Sequence, residues 1–214
     1  MKKIFTLIAA AMMVAGANAQ KEWNFSNWTA KTFTATETIE NLTVHALATG
    51  GNVTIDGNNK TVDGVKYTQR LKTGGGIAIE EGTGNIGRAL SFNVPGNCTI
   101  TVIACSSNST DARVLNYASS THDNIFTTGD VPPGTPVKIN ATYTGAATTI
   151  YLYSAGGGIN FYDVAFTPTG DTAIDGITTN NTVNENAPVY NLAGQRVSKD
   201  AKGILIQNGR KVIK

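Results

Sequence analysis

The run Cys98-Thr99-Ile100-Thr101-Val102-Ile103-Ala104-Cys105 decides the fold class. Its β-branched residues recur with a period of two, which an extended strand satisfies and a helix does not. The two cysteines that bound it are the only ones in the chain. An extended segment of this length sets their Cα atoms about 23 Å apart, beyond disulfide reach, and the odd spacing sends the side chains to opposite faces. Two unpaired packing thiols are expected.

Working outward, the region from Trp23 to Pro168 is a succession of short β-rich runs broken by Gly, Asn, Asp and Ser, with no sustained 3.6-residue period. Candidate strands are Lys31 to Thr36, Leu42 to Leu47, Asn52 to Asp56, Gly64 to Lys72, Ala89 to Val94, Cys98 to Cys105, Ala112 to Ala118, Pro136 to Thr144, Thr149 to Ser154 and Ile159 to Thr167. So many short strands predict an all-β fold, an antiparallel β-sandwich of the jelly-roll kind. Asp56-Gly57 and Asp63-Gly64 read as hairpin turns, because Gly tolerates the positive φ such turns need.

The chain has 214 residues, 41% apolar and 15% charged, enough for one domain with its own core plus an appendage. Met1-Lys2-Lys3, the apolar run Ile4 to Ala15 and the small residues Ala17-Asn18-Ala19 read as a cleaved signal peptide, with Gln20 as the mature N-terminus. The apolar run is shorter than the ~20 residues of a membrane span. A secreted or cell-surface protein with no transmembrane segment is expected. Residues 169–186 are polar and turn-forming, as in a linker. Residues 20–186 carry nine basic and fourteen acidic side chains, a net of −5, whereas 187–214 carry six and one, a net of +5. The expected organisation is a signal peptide over 1–19, a sandwich over 20–168, a linker over 169–186 and a small β-hairpin unit over 187–214. The neutral mature chain speaks against a nucleic-acid binder.

Catalytic signatures are missing. His45 and His122 sit in no nucleophile or zinc pattern and read as ordinary packing or surface residues. Asp56-Gly57-Asn58-Asn59-Lys60 resembles the opening of a calcium loop, but Lys60 takes a ligand position, so calcium has no assignable site and no metal site is expected. Gly74-Gly75-Gly76 and Gly156-Gly157-Gly158 lack the Lys-Ser/Thr ending of a phosphate loop and read as strand-flanking loops. Glu80-Glu81 reads as a solvated acidic loop rather than an acid–base pair. No enzyme activity is expected.

The segment from Val65 to Lys72 is more informative. Alternation puts Val65, Tyr67 and Leu71 on one face and Lys66, Thr68, Arg70 and Lys72 on the other, a basic stripe on an acidic body. Arg88 and Arg113 stand at strand starts, where binding loops gather, and a guanidinium suits bidentate recognition of a carboxylate. Trp28 is a candidate stacking surface for a sugar, with core packing as the competing role for both Trp23 and Trp28.

Tyr67 to Gly75, Arg88 to Gly96, Thr99 to Val102, Ser106-Ser107 through Leu115, and Gly157 to Tyr162 together resemble the β-sandwich module attached to pectate lyases and related polysaccharide-degrading enzymes of Bacteroidota. The resemblance implies a carbohydrate-binding-module-like sandwich without the enzyme, since no residues remain for a catalytic β-helix. Val189 to Val197 and Lys202 to Lys214 resemble the end of a type IX secretion C-terminal sorting domain, shortened here, which implies secretion machinery as a partner of the tail. The leading expectation is an exported, non-catalytic binder of polysaccharide, with a pectin-like anionic glycan preferred and Lys66, Arg70, Lys72, Arg88, Arg113 and Trp28 as contacts. The alternatives are a surface structural or adhesive protein that binds protein partners, and a pectate lyase-related protein.

Overall fold

The computed structural model describes residues 20–169, 187–198, 200–207 and 210–213. The leader over 1–19 and all but the first residue of the expected linker lie outside the described residues. The chain divides into two units, one ending at Thr172 and one beginning at Ala173.

The first unit is all-β. In chain order it contains β1 (Lys21–Asn24), a 3-10 turn (Phe25–Asn27), β2 (Lys31–Phe33), β3 (Glu37–Ile39), β4 (Leu42–His45), β5 (Val53–Val62), β6 (Val65–Lys72), β7 (Ala78–Ile79) and β8 (Ile86–Gly87). It continues with β9 (Ala89–Val94), β10 (Cys98–Ser106), β11 (Arg113–Ser119), β12 (Ile125–Val131), β13 (Val137–Tyr143), β14 (Thr148–Tyr153) and β15 (Ile159–Pro168). One sheet runs β13-β10-β15-β6-β5-β2, with β1 also on β15; the other runs β12-β11-β14-β9-β4-β3. Strands β9 to β15 pass repeatedly between the sheets, and every pairing of named strands is antiparallel, which makes a jelly-roll sandwich.

Alternation explains the core. On β10 the residues Cys98, Ile100, Val102 and Ala104 enter the main core, while Ile103 and Cys105 join a second cluster with Val62, Tyr67 and Tyr162 on the outer face of the first sheet. The cysteines therefore lie on opposite faces, buried and unbridged. Phe92 of one sheet stacks on Phe166 of the other at 5.7 Å, and Trp23 leans on both. Such pairs contribute about 0.5–1.5 kcal/mol each beyond the area they bury. The Trp23 indole N–H is satisfied by the Glu40 carbonyl at 2.9 Å.

Two bulges shape the outer face. Ile103 pairs with Asp163 but Ala104 with Phe161, so Tyr162 is an extra residue in β15. Gly57 pairs with Gln69 but Lys60 with Tyr67, so β5 holds an extra residue there. The second bulge corrects the expected turn at Asp56-Gly57: β5 runs through it to Val62. The true turn is Asp63-Gly64, with φ of 49° and 80°, between the partners Val62 and Val65. Bulging also raises local twist. Tyr67 and Leu71 consequently do not share a cluster: Leu71 enters the main core and Tyr67 meets Tyr162 at 6.0 Å.

The second unit contains β16 (Val189–Asn191), β17 (Arg196–Val197), β18 (Ile204–Gln207) and β19 (Arg210–Ile213), in the order β17-β16-β18-β19. Strands β16 and β18 pair directly, with Tyr190 opposite Ile206, and Val189 and Leu205 are buried. Asn191 closes the turn between β16 and β17 by accepting the N–H groups of Ala193 and Gln195.

Candidate functional site

Across the outer face of the first sheet, Lys72 of β6 is the register partner of Asn160 of β15, which is in turn paired with Cys105 of β10. One step along, Arg70 is opposite Asp56 of β5. These strand ends, the loop Ser106–Ser109 and Gly134 border an open cavity of about 150 Å³ lined by Asn58, Lys60, Arg70, Asn160 and Tyr162. Four elements distant in sequence thus supply one polar chamber.

Its walls are fixed by hydrogen bonds. The Tyr162 phenol donates to Asn58 Oδ1 at 2.7 Å, and Lys60 donates to the Gly134 carbonyl at 2.8 Å. Arg70 Nε and Nη2 donate to the two Asp56 oxygens at 2.7 and 3.3 Å, and Lys72 approaches the same carboxylate at 3.2 Å. Burial works to raise the Asp56 pKa, but the hydrogen bonds and charges of Arg70 and Lys72 outweigh it and hold the carboxyl below its usual range. Burial pushes the Tyr162 phenol far up, so it stays a neutral hydroxyl. The residues that resembled a calcium loop are thereby committed elsewhere: Asp56 to two cations, Asn58 to a phenol and Lys60 to a carbonyl.

One group stands out. Asn160 is only 4% exposed; its amide nitrogen reaches Ser106 O at 3.4 Å and Cys105 Sγ at 3.7 Å, yet its Oδ1 has no hydrogen-bond partner. An unmet buried acceptor costs roughly 1–3 kcal/mol.

Ser107 joins this chamber to a second group of functional candidates. Its N–H donates to the Gly158 carbonyl at 3.0 Å, and a Cβ on Gly158 would meet Ser107 Oγ at 2.5 Å and the backbone of Gly74 and Gly75 at 3.0 Å. The two glycine triplets therefore pack on each other, as only glycines can. A Cβ on Gly75 would strike the Arg88 guanidinium, and one on Gly157 that of Arg113. Both arginines lie along this glycine floor with a buried, unpartnered Nε. Arg88 also holds a strained φ of 60°, a non-glycine residue in the left-handed region. Arg113 has a loose partner in Asp111 at 4.0 Å.

Of the residues expected from the sequence, Arg70 lines the chamber, Lys72 is tied to the Asp56 carboxylate that Arg70 also holds, and Arg88 and Arg113 lie along the adjoining glycine floor. Lys66 is exposed nearer the hairpin turn, opposite Thr61. Trp28 sets its ring edge-on to Phe25 at 5.2 Å and packs on the main core. Asn58 and Lys60 entered the sequence reading only as part of an apparent calcium-loop opening, and Asn160 and Tyr162 were not singled out as site residues; the bulges that bring the four together leave no local signature. Glu80 accepts from Thr83 at 2.6 Å and Asn85 at 2.8 Å, bonds that lower its pKa, and so acts as a loop brace. Among the described residues no three His, Cys, Asp or Glu side chains converge in a metal-binding group, and no helix is long and apolar enough to cross a membrane.

No family model matches the sequence, and no curated protein matches it. Among solved structures, the chain is similar to the CBM22-1 xylan-binding domain from Paenibacillus barcinonensis Xyn10C, at 13% identity and a TM-score of 0.44 over 71% of this chain and 95% of that one. It is also similar to the CBM36-1 domain of a multidomain xylanase from the hindgut metagenome of Trinervitermes trinervoides, at 12% identity and a TM-score of 0.40 over 71% and 99%. A family 35 carbohydrate-binding module from Clostridium thermocellum gives 12%, 0.39, 70% and 98%.

Proposed function

We propose that the sandwich is a non-catalytic polysaccharide-binding module whose chamber on the first sheet takes a sugar bearing a carboxylate, as in pectin. The observation that carries this reading is the buried, unpartnered Asn160 Oδ1 beside a cavity lined by Lys60 and Arg70, with Arg70 and Lys72 sharing the single carboxylate of Asp56. A sugar hydroxyl meets the first requirement and a uronate carboxylate the second, by charge-assisted hydrogen bonds. The adjoining Arg88 and Arg113 extend the cationic surface toward the next residue of a polymer.

Affinity electrophoresis in polygalacturonate tests this. Wild type should be retarded, less so as salt rises, because charge attraction in an overall acidic body is local and screened. Arg70→Ala should lose about 1.5–3 kcal/mol of binding. Equal retardation of wild type and variant would overturn the reading.

The same proposal places the protein outside the cell, exported through the leader read over 1–19 and sorted or anchored by the unit over 187–214. Deleting that unit should leave the sandwich folded and change its location. Unchanged amounts in the same compartment would defeat the sorting role.

A further inference from the structure

The outer face of the second sheet carries a separate cavity of about 430 Å³, within the roughly 300–1,000 Å³ usual for small-ligand clefts. It is lined by Thr36, His45, Ile86, Thr121, His122 and Tyr151, with Gly84 and Asn85 at its rim, and it is open to solvent. The only two histidines of the chain thus meet at one site, although they are far apart in sequence.

Its character differs from that of the charged chamber. The Tyr151 ring stacks on His45 at 5.8 Å and 29°, and packs against the cluster of Ile86, Ala89, Ala118 and Tyr153, so its orientation is fixed before any ligand arrives. His45 bonds Ser91 Oγ at 2.8 Å through Nε2, and burial first, then the nearby His122, push its pKa down to about 4. It is neutral at physiological pH. No Lys, Arg, Asp or Glu lines the cavity; Asp123, which His122 approaches at 3.1 Å, is 82% exposed. The hydroxyls of Thr36, Thr121 and Tyr151 have no partner among the described residues.

We infer that this cavity is a second subsite, for an uncharged sugar ring, which rests on Tyr151 while its hydroxyls engage Thr36, Thr121 and His122. A preset aromatic face covers the apolar C–H side of a pyranose, and unspent hydroxyls match its edge. An anionic ligand finds no cation here, and an apolar ligand would leave the three hydroxyls unmet. Two faces with different preferences would let one module hold a charged and an uncharged chain segment together, so that binding to a mixed polymer gains by avidity.

The test is NMR titration of the mature chain with xylohexaose, cellohexaose, mannohexaose and galactohexaose, each to about 10 mM, enough to register a Kd near ~1 mM. At least one should shift the signals of His45, Thr121 and Tyr151. Tyr151→Ala should weaken that binding by about tenfold or more, and Thr121→Ala, an exposed loop change that leaves the Tyr151 packing intact, by about threefold. Arg70→Ala should leave it unchanged, and Tyr151→Ala should leave polygalacturonate retardation unchanged, so the two sites fail or succeed separately. No shift with any of the four probes, or equal affinity of both cavity variants and wild type, would overturn the inference.

Discussion

Arg70 and Asp56 are direct partners across β6 and β5, and the guanidinium grips both carboxylate oxygens with about a fifth and a third of the two side chains exposed. The pair both orients Arg70 and opposes any incoming anion. At partial exposure it is worth about 0.5–1 kcal/mol of stability, whereas removing a negative charge beside the proposed uronate site would act on every encounter with a polyanion. Asp56→Asn should therefore raise affinity for polygalacturonate about threefold at low salt, with the gain vanishing at high salt. A loss at low salt would mean that orientation outweighs charge.

Asp163 sets a pH dependence. It is 5% exposed, and burial first, then the charge and hydrogen bond of Glu22, push its pKa up to about 8. Because the folded value lies above the unfolded value of about 4, its contribution is full below pH 4 and is lost as pH rises through 8. Thermal melts should show stability falling across that window. Asp163→Asn should flatten the slope and raise Tm near pH 8 by about 3 °C or more, the shift that ~1 kcal/mol gives in a chain of this size. An unchanged slope would assign the dependence elsewhere.

The glycine floor predicts a contrast. An added methyl at Gly158 meets backbone of Gly74 and Gly75, which cannot step aside, so Gly158→Ala should destabilise by about 1–3 kcal/mol in a denaturant titration. At Gly75 the obstacle is the far end of the Arg88 side chain. Gly75→Ala should leave stability within about 0.5 kcal/mol and alter acidic-glycan binding instead. Equal destabilisation by both would show that Arg88 cannot move.

Cys98 and Cys105 should stay thiols in an oxidising medium. Both are buried, and burial pushes the Cys98 thiol up to about 11, which suppresses the reactive thiolate. Native protein at pH 8 should react slowly with a thiol reagent, and denatured protein should give two equivalents. A mass two hydrogens short would contradict this.

The sandwich was legible in the sequence wherever side chains alternate without interruption, as from Cys98 to Cys105 and from Ala89 to Val94. It was illegible where packing overrides pattern. Strand β12 escaped notice because Gly129 interrupts it, and that glycine is there because a Cβ would come within 2.8 Å of Ile139. The short edge partners β1 and β3 owe their extended form to pairing with β15 and β4 rather than to their own residues. Arg70 and Lys72 could be picked out as a stripe, but Asp56, which shares them, lay hidden by the apparent turn at Asp56-Gly57. Asn160 could not be found at all, since its significance is an unmet oxygen and depends on strands brought together from across the chain.

The bulge at Tyr162 carries a consequence for how such a site can arise. Phe161 enters the core, and the next residue in register, Asp163, is paired on the outer face with Ile103, with Val164 back in the core. Delete residue 162 and the inward and outward order of every other side chain on β15 is already correct. The tyrosine is a supernumerary link in the alternation: a strand lacking it would keep the inward and outward order of its neighbours, but would lose both the phenol that holds Asn58 and the buried ring on which Val62, Tyr67, Ile103 and Cys105 cluster. One inserted codon thus leaves the order of the main core untouched and supplies both this wall of the chamber and the fully buried ring of the outer-face cluster, so that a change at position 162 acts on the cavity and on stability together.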